Sequence, residues 1–280
     1  MVYADDIVLL APSYEAAQRM LDAVIRETSL AGLRINVGKT KYMVRGDLAA
    51  SPGEIRVGDD LIERVEEFKY LGSYIGSVDK DIDVRCKAAS RQFGRLLPLW
   101  QAPLRVETKL RVFKAVVEPV LTYGCEAWPL TKDREHKLSS CWFSLVRKIV
   151  NRRWPYVRQS DASILDEFEL TSPVQLLKSR FLKHYGHALR TSQREKSAGV
   201  KLSPQSMVVE WLGEHGSRCT AQHGVERQRS VQRRGQGNLC TLLSYCTRLL
   251  GLRNGDVESL QRLAQSKETW RRLVESASRV

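Results

Sequence analysis

The chain has 280 residues, 42% of them hydrophobic and 28% charged, and carries a formal net charge of +13. That length allows one or two domains with a sizeable core. With no secretory leader and no apolar run long enough to span a bilayer, the expectation is a soluble intracellular protein, nuclear or cytoplasmic, without a membrane partner. The charge is uneven: residues 1 to 67 carry 8 Lys or Arg against 12 Asp or Glu, a net of −4, whereas residues 68 to 280 carry 37 against 20, a net of +17. An anionic polymer is expected on the second portion. A basic balance alone suits a ribosomal or membrane-surface protein equally well. The six cysteines, Cys86, Cys125, Cys141, Cys219, Cys240 and Cys246, are scattered without a CxxC pair, which fits free thiols in a reducing compartment.

Val2 to Leu10 is an apolar run broken by Asp5 and Asp6. Two adjacent carboxylates in such a run cost too much to bury unless a cation offsets them. The run is therefore expected to form two short antiparallel strands with the acids near the turn. A plain Asp-Asp turn without chemistry is the alternative. Ser13 caps a predicted helix whose face is Ala17, Met20, Leu21, Val24 and Ile25, and Gly32 ends it. A return strand is predicted near Leu33 to Val37, with another near Tyr42 to Val44. Glu54 to Val57 and Leu61 to Val65 read as a hairpin about Gly58-Asp59-Asp60, followed by another strand from Phe68 to Ile75.

From Asp81 the period becomes helical. Ile82, Cys86, Ala89, Phe93, Leu96, Leu97 and Trp100 make one face, and Lys87, Arg91 and Arg95 line up four apart on another. A second helix turns Leu110, Phe113, Val117 and Leu121 inward and Arg111 and Lys114 outward, with Pro119 expected to kink or end it. Leu138 to Val150 is a third helix, followed by Arg152, Arg153, Trp154 and Tyr156. Ser172-Pro173 opens a helix through Leu189, and residues 192 to 206 read as an exposed connector. Residues 217 to 237 are Arg-, Gln- and Gly-rich and are expected to lack order without a partner. Helices near Leu239 to Leu250 and Val257 to Val274 finish the chain, the last burying Leu260, Leu263, Ala264, Leu273 and Val274.

The series Tyr3-Ala4-Asp5-Asp6, then Gly32 to Asn36, Lys39-Thr40-Lys41 and Phe68 to Gly72, resembles the reverse transcriptase of non-LTR, LINE-like retrotransposons. It matches the family's YxDD hairpin, the helix and lysine-bearing strand after it, and the primer-grip hairpin. The resemblance continues in Arg111 to Trp128, which ends in a YGxExW run, in the GHxxR of Gly186 to Arg190, and in the WRxLV of Trp270 to Val274. It thus covers residues 3 to 274. One departure stands at Arg233 to Cys240, where relatives usually carry a basic element with tryptophan.

The resemblance implies an α+β fold: part of a right-hand polymerase palm over residues 1–78 (antiparallel hairpins plus one helix), a helical thumb-like region over 79–156, and a C-terminal helical region over 157–280 with a basic flexible linker near 192–237. It implies RNA template and DNA primer, or an RNA–DNA hybrid, as partners, a dNTP as substrate of the intact enzyme, and Mg²⁺ as cofactor. Asp5 would be the direct metal ligand and Asp6 the second carboxylate, with Tyr3 lining the nucleotide side. Lys39 or Lys41, sharing a face by strand alternation, would answer the leaving pyrophosphate; a solvent-facing role for both is the alternative. Phe68, Tyr70, Leu71 and Gly72 would contact the primer, and Lys87, Arg91 and Arg95 the duplex.

Right-hand polymerases also use an Asp on a strand far upstream. Because only two residues precede Tyr3, the chain is expected to be the C-terminal part of a polymerase, inactive alone. A noncatalytic nucleic-acid-binding module is the rival from another class, and a group II intron maturase is a remoter one. His184 and His187 with Cys141 or Cys125, and His215, Cys219 and His223, fall short of a two-plus-two zinc pattern.

Overall fold

The computed structural model describes residues 2–3, 6–44, 53–128, 131–151, 159–200, 203, 246–247, 250–252 and 256–279. They fall into two compact units, the first ending at Gly76 and the second opening at Ser77. Small two-stranded sheets sit in the first and helices fill the second, so the fold is α+β.

In the first unit, β1 (Val2–Tyr3) and β2 (Asp6–Ile7) pair antiparallel with Tyr3 opposite Asp6. Helix α1 (Tyr14–Leu30) begins where the Ser13 hydroxyl accepts the Ala16 N–H, and it ends ahead of Gly32, whose φ is 72°. It lays Ala17, Leu21 and Ile25 against Ile55 and Ile62. Met20, expected on the same face, is exposed, because strands of two residues cover only a narrow stripe of the helix.

No strand forms over Leu33 to Val37. Instead Asn36 organises a turn: its side-chain oxygen accepts the Lys39 N–H and its carbonyl accepts from Thr40, the local bonding by which Asn competes with a ladder. β3 (Lys41–Tyr42) then pairs parallel with β6 (Glu63–Arg64), where only antiparallel hairpins were expected. β4 (Arg56–Val57) and β5 (Asp60–Leu61) form a hairpin around Gly58. The run from Phe68 to Ile75 folds back on itself as β7 (Phe68–Tyr70) and β8 (Ser73–Ile75), joined at Leu71 and Gly72 with φ of 47° and 86°.

The second unit opens with α2 (Val78–Arg95), capped by Ser77, and the short α3 (Leu97–Gln101). Next come α4 (Val106–Val112), a π-helical turn (Phe113–Val117) and α5 (Glu118–Leu121). All four residues expected inward, Leu110, Phe113, Val117 and Leu121, are buried. Pro119 has no N–H and its ring crowds the carbonyl four residues back. The wide turn before it, in which the Glu118 N–H reaches the Phe113 carbonyl, absorbs that crowding. The Glu118 carboxyl accepts the Trp142 indole N–H at 3.0 Å. Burial pushes its pKa above the usual carboxylate range, against the lowering effects of Trp142, Arg180 and Lys114.

A 3₁₀ turn (Cys125–Ala127) leads to α6 (Lys132–Ile149), α7 (Asp161–Glu167) and α8 (Pro173–Ser197). Ser172 and Gln175 make a reciprocal capping box on α8. This helix runs on through the first part of the expected connector because Ser192 is buried and Gln193 donates to the Gln261 carbonyl. The terminal helix is two helices, α9 (Val257–Gln265) and α10 (Lys267–Arg279), parted at Ser266, whose hydroxyl accepts the Thr269 N–H.

Gly186 and Trp270 tie these pieces together. The buried Trp270 indole donates to the Leu182 carbonyl at 2.9 Å, and a Cβ on Gly186 would overlap the ring. Gly186→Ala is therefore expected to cost about 2–3 kcal/mol by overpacking, read as a lower urea midpoint with the Trp fluorescence shifting earlier. Glu118→Gln keeps an acceptor for Trp142 and removes a buried charge. A carboxyl whose folded pKa is raised loses stability as pH rises from its unfolded value through its folded one. The variant should gain stability over wild type at pH 7.5 and lose that gain near pH 4.

Candidate functional site

The β1–β2 hairpin carries the acidic pair. Asp6 stands in a strand, exposed, and forms no ion pair with a described residue. Asp5, Ala4 and the side chain of Tyr3 lie outside the described residues; the pairing of Tyr3 with Asp6 leaves Ala4 and Asp5 as the two-residue connection. An exposed carboxylate at a hairpin offers the hard oxygen donors that Mg²⁺ takes. Among the described residues, no three His, Cys, Asp or Glu come together to hold a metal.

The two lysines do not share a strand. Lys39 sits in the Asn36 turn and is exposed, whereas Lys41 is in β3 and its ammonium is 2.5 Å from the Glu63 carboxylate across the parallel pair. Strand alternation therefore does not relate them. Neither is bonded to Asp6 among the described residues.

In the β7–β8 hairpin, Phe68 and Tyr70 are half-buried, Lys69 is exposed between them, and Leu71 is exposed at the turn. Such turns want φ above zero at both central residues, which Gly72 supplies freely and a leucine does not.

The cationic stripe of α2 is positioned by acids in the same helix. Asp81 is buried and accepts the Trp128 indole N–H at 2.9 Å. Arg85 lies 3.9 Å from the same carboxylate, with its guanidinium 4.3 Å over the Tyr123 ring. Gly124, at φ 74°, allows the bend that brings both aromatic residues back to α2. Asp79 takes two 2.8 Å bonds from Arg134, and those bonds hold its carboxyl below the usual range. Asp83 pairs with Lys137. The carboxylates of α2 are thus engaged in its first two turns, while Lys87, Arg91 and Arg95 stand exposed, with no ion pair among the described residues.

Asp81 was not singled out from sequence. Its signal was faint: a carboxylate at the margin of the apolar stripe, four residues before an arginine. Arg147, in contrast, is committed to Asp161 and the Gln159 carbonyl, and Arg152, Arg153, Trp154 and Tyr156 lie outside the described residues. His184 and His187 are exposed, and His215, Cys219 and His223 lie outside the described residues.

The reverse transcriptase (RNA-dependent DNA polymerase) family matches residues 1–75. A transposon-derived protein of Caenorhabditis elegans is 30% identical over 198 residues, covering 67% of this chain and 70% of that protein. The chain belongs to the transposon-derived, reverse-transcriptase-related proteins. Within this family the non-LTR type is supported by the retrovirus-related Pol polyprotein of the type-2 retrotransposable element R2DM of Drosophila melanogaster, 29% identical over 128 residues. That match covers 42% of this chain and 12% of the polyprotein. No solved structure gives a significant match. No helix among the described residues is long and apolar enough to cross a membrane.

A non-glycine residue held at positive φ stores on the order of 1 kcal/mol. Leu71→Asn, which tolerates that conformation, should slow amide hydrogen exchange in β7 and β8 about fivefold. Unchanged exchange would mean that the turn is not strained.

Proposed function

We propose that this chain supplies part of the metal cradle and the nucleic-acid grip of an RNA-directed DNA polymerase from a non-LTR, LINE-like retrotransposon. In this reading residues 1–78 are palm with a primer-grip hairpin, 79–156 a thumb-like region and 157–280 the helical region that follows. The observation that carries it is the register of β1 and β2, since Tyr3 opposite Asp6 leaves Asp5 in a two-residue connection and Asp6 beside it.

Asp5 is the direct ligand for Mg²⁺ and Asp6 the second carboxylate. When bound, the divalent ions lower the pKa of the primer 3′-hydroxyl and neutralise the leaving pyrophosphate of the dNTP. Tyr3 lines the nucleotide side. Lys41 is held by Glu63, so Lys39, exposed in its turn, is the lysine left to answer the pyrophosphate charge. Phe68, Tyr70 and Leu71, with Gly72 giving the backbone close approach, meet the primer. Lys87, Arg91 and Arg95 track the phosphates of an RNA template paired with its DNA primer.

The cradle of a two-metal polymerase needs a further carboxylate. In this reading the chain contributes Asp5 and Asp6 to that cradle and binds the hybrid. A noncatalytic binding module is the second reading, favoured by the uncommitted stripe of α2.

The chain is expected to bind an RNA–DNA hybrid in a salt-sensitive way. Neutralising Lys87, Arg91 and Arg95 together should lower the log–log salt slope by about 2–3, followed by fluorescence anisotropy. Protection of the β1–β2 amides by Mg²⁺ that disappears in Asp5→Ala supports the retained metal site, and its absence in wild type favours the noncatalytic reading. Template-dependent primer extension that Asp5→Ala abolishes would overturn the expectation of inactivity.

A further inference from the structure

Helix α8 is buried along one side and open along the other. With 3.6 residues per turn, Lys183, His187, Arg190 and Arg194 fall in one row at spacings of four, three and four. The row extends over about 16 Å at 1.5 Å per residue. Lys183, His187 and Arg194 are exposed, and Arg190 is half-buried with its guanidinium on the Ala264 carbonyl at 3.3 Å.

Helices α9 and α10 run antiparallel to α8. Leu182 meets Trp270, Arg190 meets Ala264 and Gln193 meets Gln261, so residue numbers rise on one side as they fall on the other. In an antiparallel pair, positions turned the same way from the contact line emerge on the same flank. Taking Gly186 and Trp270 as the contact line puts the α8 row on one flank. Lys267 and Arg271, both exposed, come out on that same flank of α10. Glu268 and Arg272, which pair with each other, occupy its back. Glu258, about one turn before Gln261, stands towards the far end of the row, beyond Arg194.

This arrangement carries a cost in the isolated protein. Arg190 and Arg194 are like charges four apart, which repel on a helix, and Arg194 depresses the Arg190 pKa after the larger effect of burial. Lys267 is the first residue of α10, where the helix dipole disfavours a cation. An extended anion running along the flank would offset all of these at once.

We infer that α8 and α10 together form a second ridge for a nucleic-acid phosphate backbone, built from Lys183, His187, Arg190, Arg194, Lys267 and Arg271 and distinct from the stripe on α2. The inference rests on the nucleic-acid reading proposed above. Guanidinium and ammonium groups take phosphate oxygens, and the His187 imidazole donates one N–H in its neutral form. An anionic membrane suits the ridge less well, because surface-binding helices insert aromatic or aliphatic side chains. None of the exposed large hydrophobic residues among those described lies on α8, α9 or α10.

The test is anisotropy with the full chain, using a labelled single-stranded RNA and an RNA–DNA hybrid over a salt series. One variant is K183A/R194A/K267A/R271A and the other K87A/R91A/R95A, with circular dichroism confirming the fold of each. The ridge variant should lose on the order of tenfold in affinity for at least one probe, with a slope smaller by about 3. A loss of the same size in the background of the α2 variant supports two separate surfaces. Lys267→Glu alone should bind more weakly while melting higher, a split that a structural role does not give. Full binding by the ridge variant overturns the inference and leaves the α2 stripe standing; loss in the ridge variant with none in the α2 variant does the reverse. Equal or tighter binding of wild type to vesicles of anionic lipid, lost in the ridge variant while RNA binding persists, would assign the ridge to a membrane instead.

Discussion

Asp81 is almost wholly withdrawn from water, and a buried carboxylate costs several kcal/mol unless hydrogen bonds replace its hydration. The Trp128 indole supplies one such bond from 47 residues away along the chain. To deliver it, the chain after α5 must turn back at Gly124 and bring Tyr123 alongside Arg85. The YGxExW run is thereby explained as a clasp on the first turns of α2. Arg134 and Lys137 reinforce it from α6. Since the clasp engages the acids of α2 near its start, the charged side chains that the later turns show to water are all cations, a structural requirement at one end of the helix leaving the other end with a single sign of charge.

A second clasp joins the GHxxR and WRxLV elements. Gly186 is present because Trp270 lies against its backbone, and Arg190 reaches the last turn of α9. These are packing roles for the glycine, the arginine and the tryptophan, whereas His187 stays in solvent. Motifs 80 residues apart thus form one joint, and that joint places the cations of α10 beside those of α8.

Much of the helical structure was legible from sequence because its signals are local. Leu110, Phe113, Val117 and Leu121 share a face at helical period, Ser172-Pro173 opens α8, and Gly32 follows the end of α1, as the residue types dictate. The acidic pair drew notice because its apolar run was expected to be buried, whereas Asp6 and Ile7 are exposed in β2. Apart from Asn36, whose partners are its immediate neighbours, the misses share a cause in partners that lie far along the chain. Lys41 pairs with Glu63 in a parallel ladder that no hairpin rule anticipates, Asn36 captures its own backbone in place of a strand, and α8 overruns its expected end because Gln193 finds α9. Asp81 looked like an ordinary polar residue until Trp128 arrived beside it.

The first unit is thinly built by comparison. Among the described residues, Leu21, Ile55 and Ile62 are its buried side chains, while Leu10, Leu33 and Leu61 face water and every strand is two or three residues long. So small a core holds little free energy against local opening. Under a limiting dose of protease this segment would be nicked long before the helices yield, and the surviving piece would keep both cationic surfaces while losing the acidic hairpin. On the reading proposed above, degradation would then separate adhesion to a polyanion from any metal chemistry, leaving the former the longer-lived of the two.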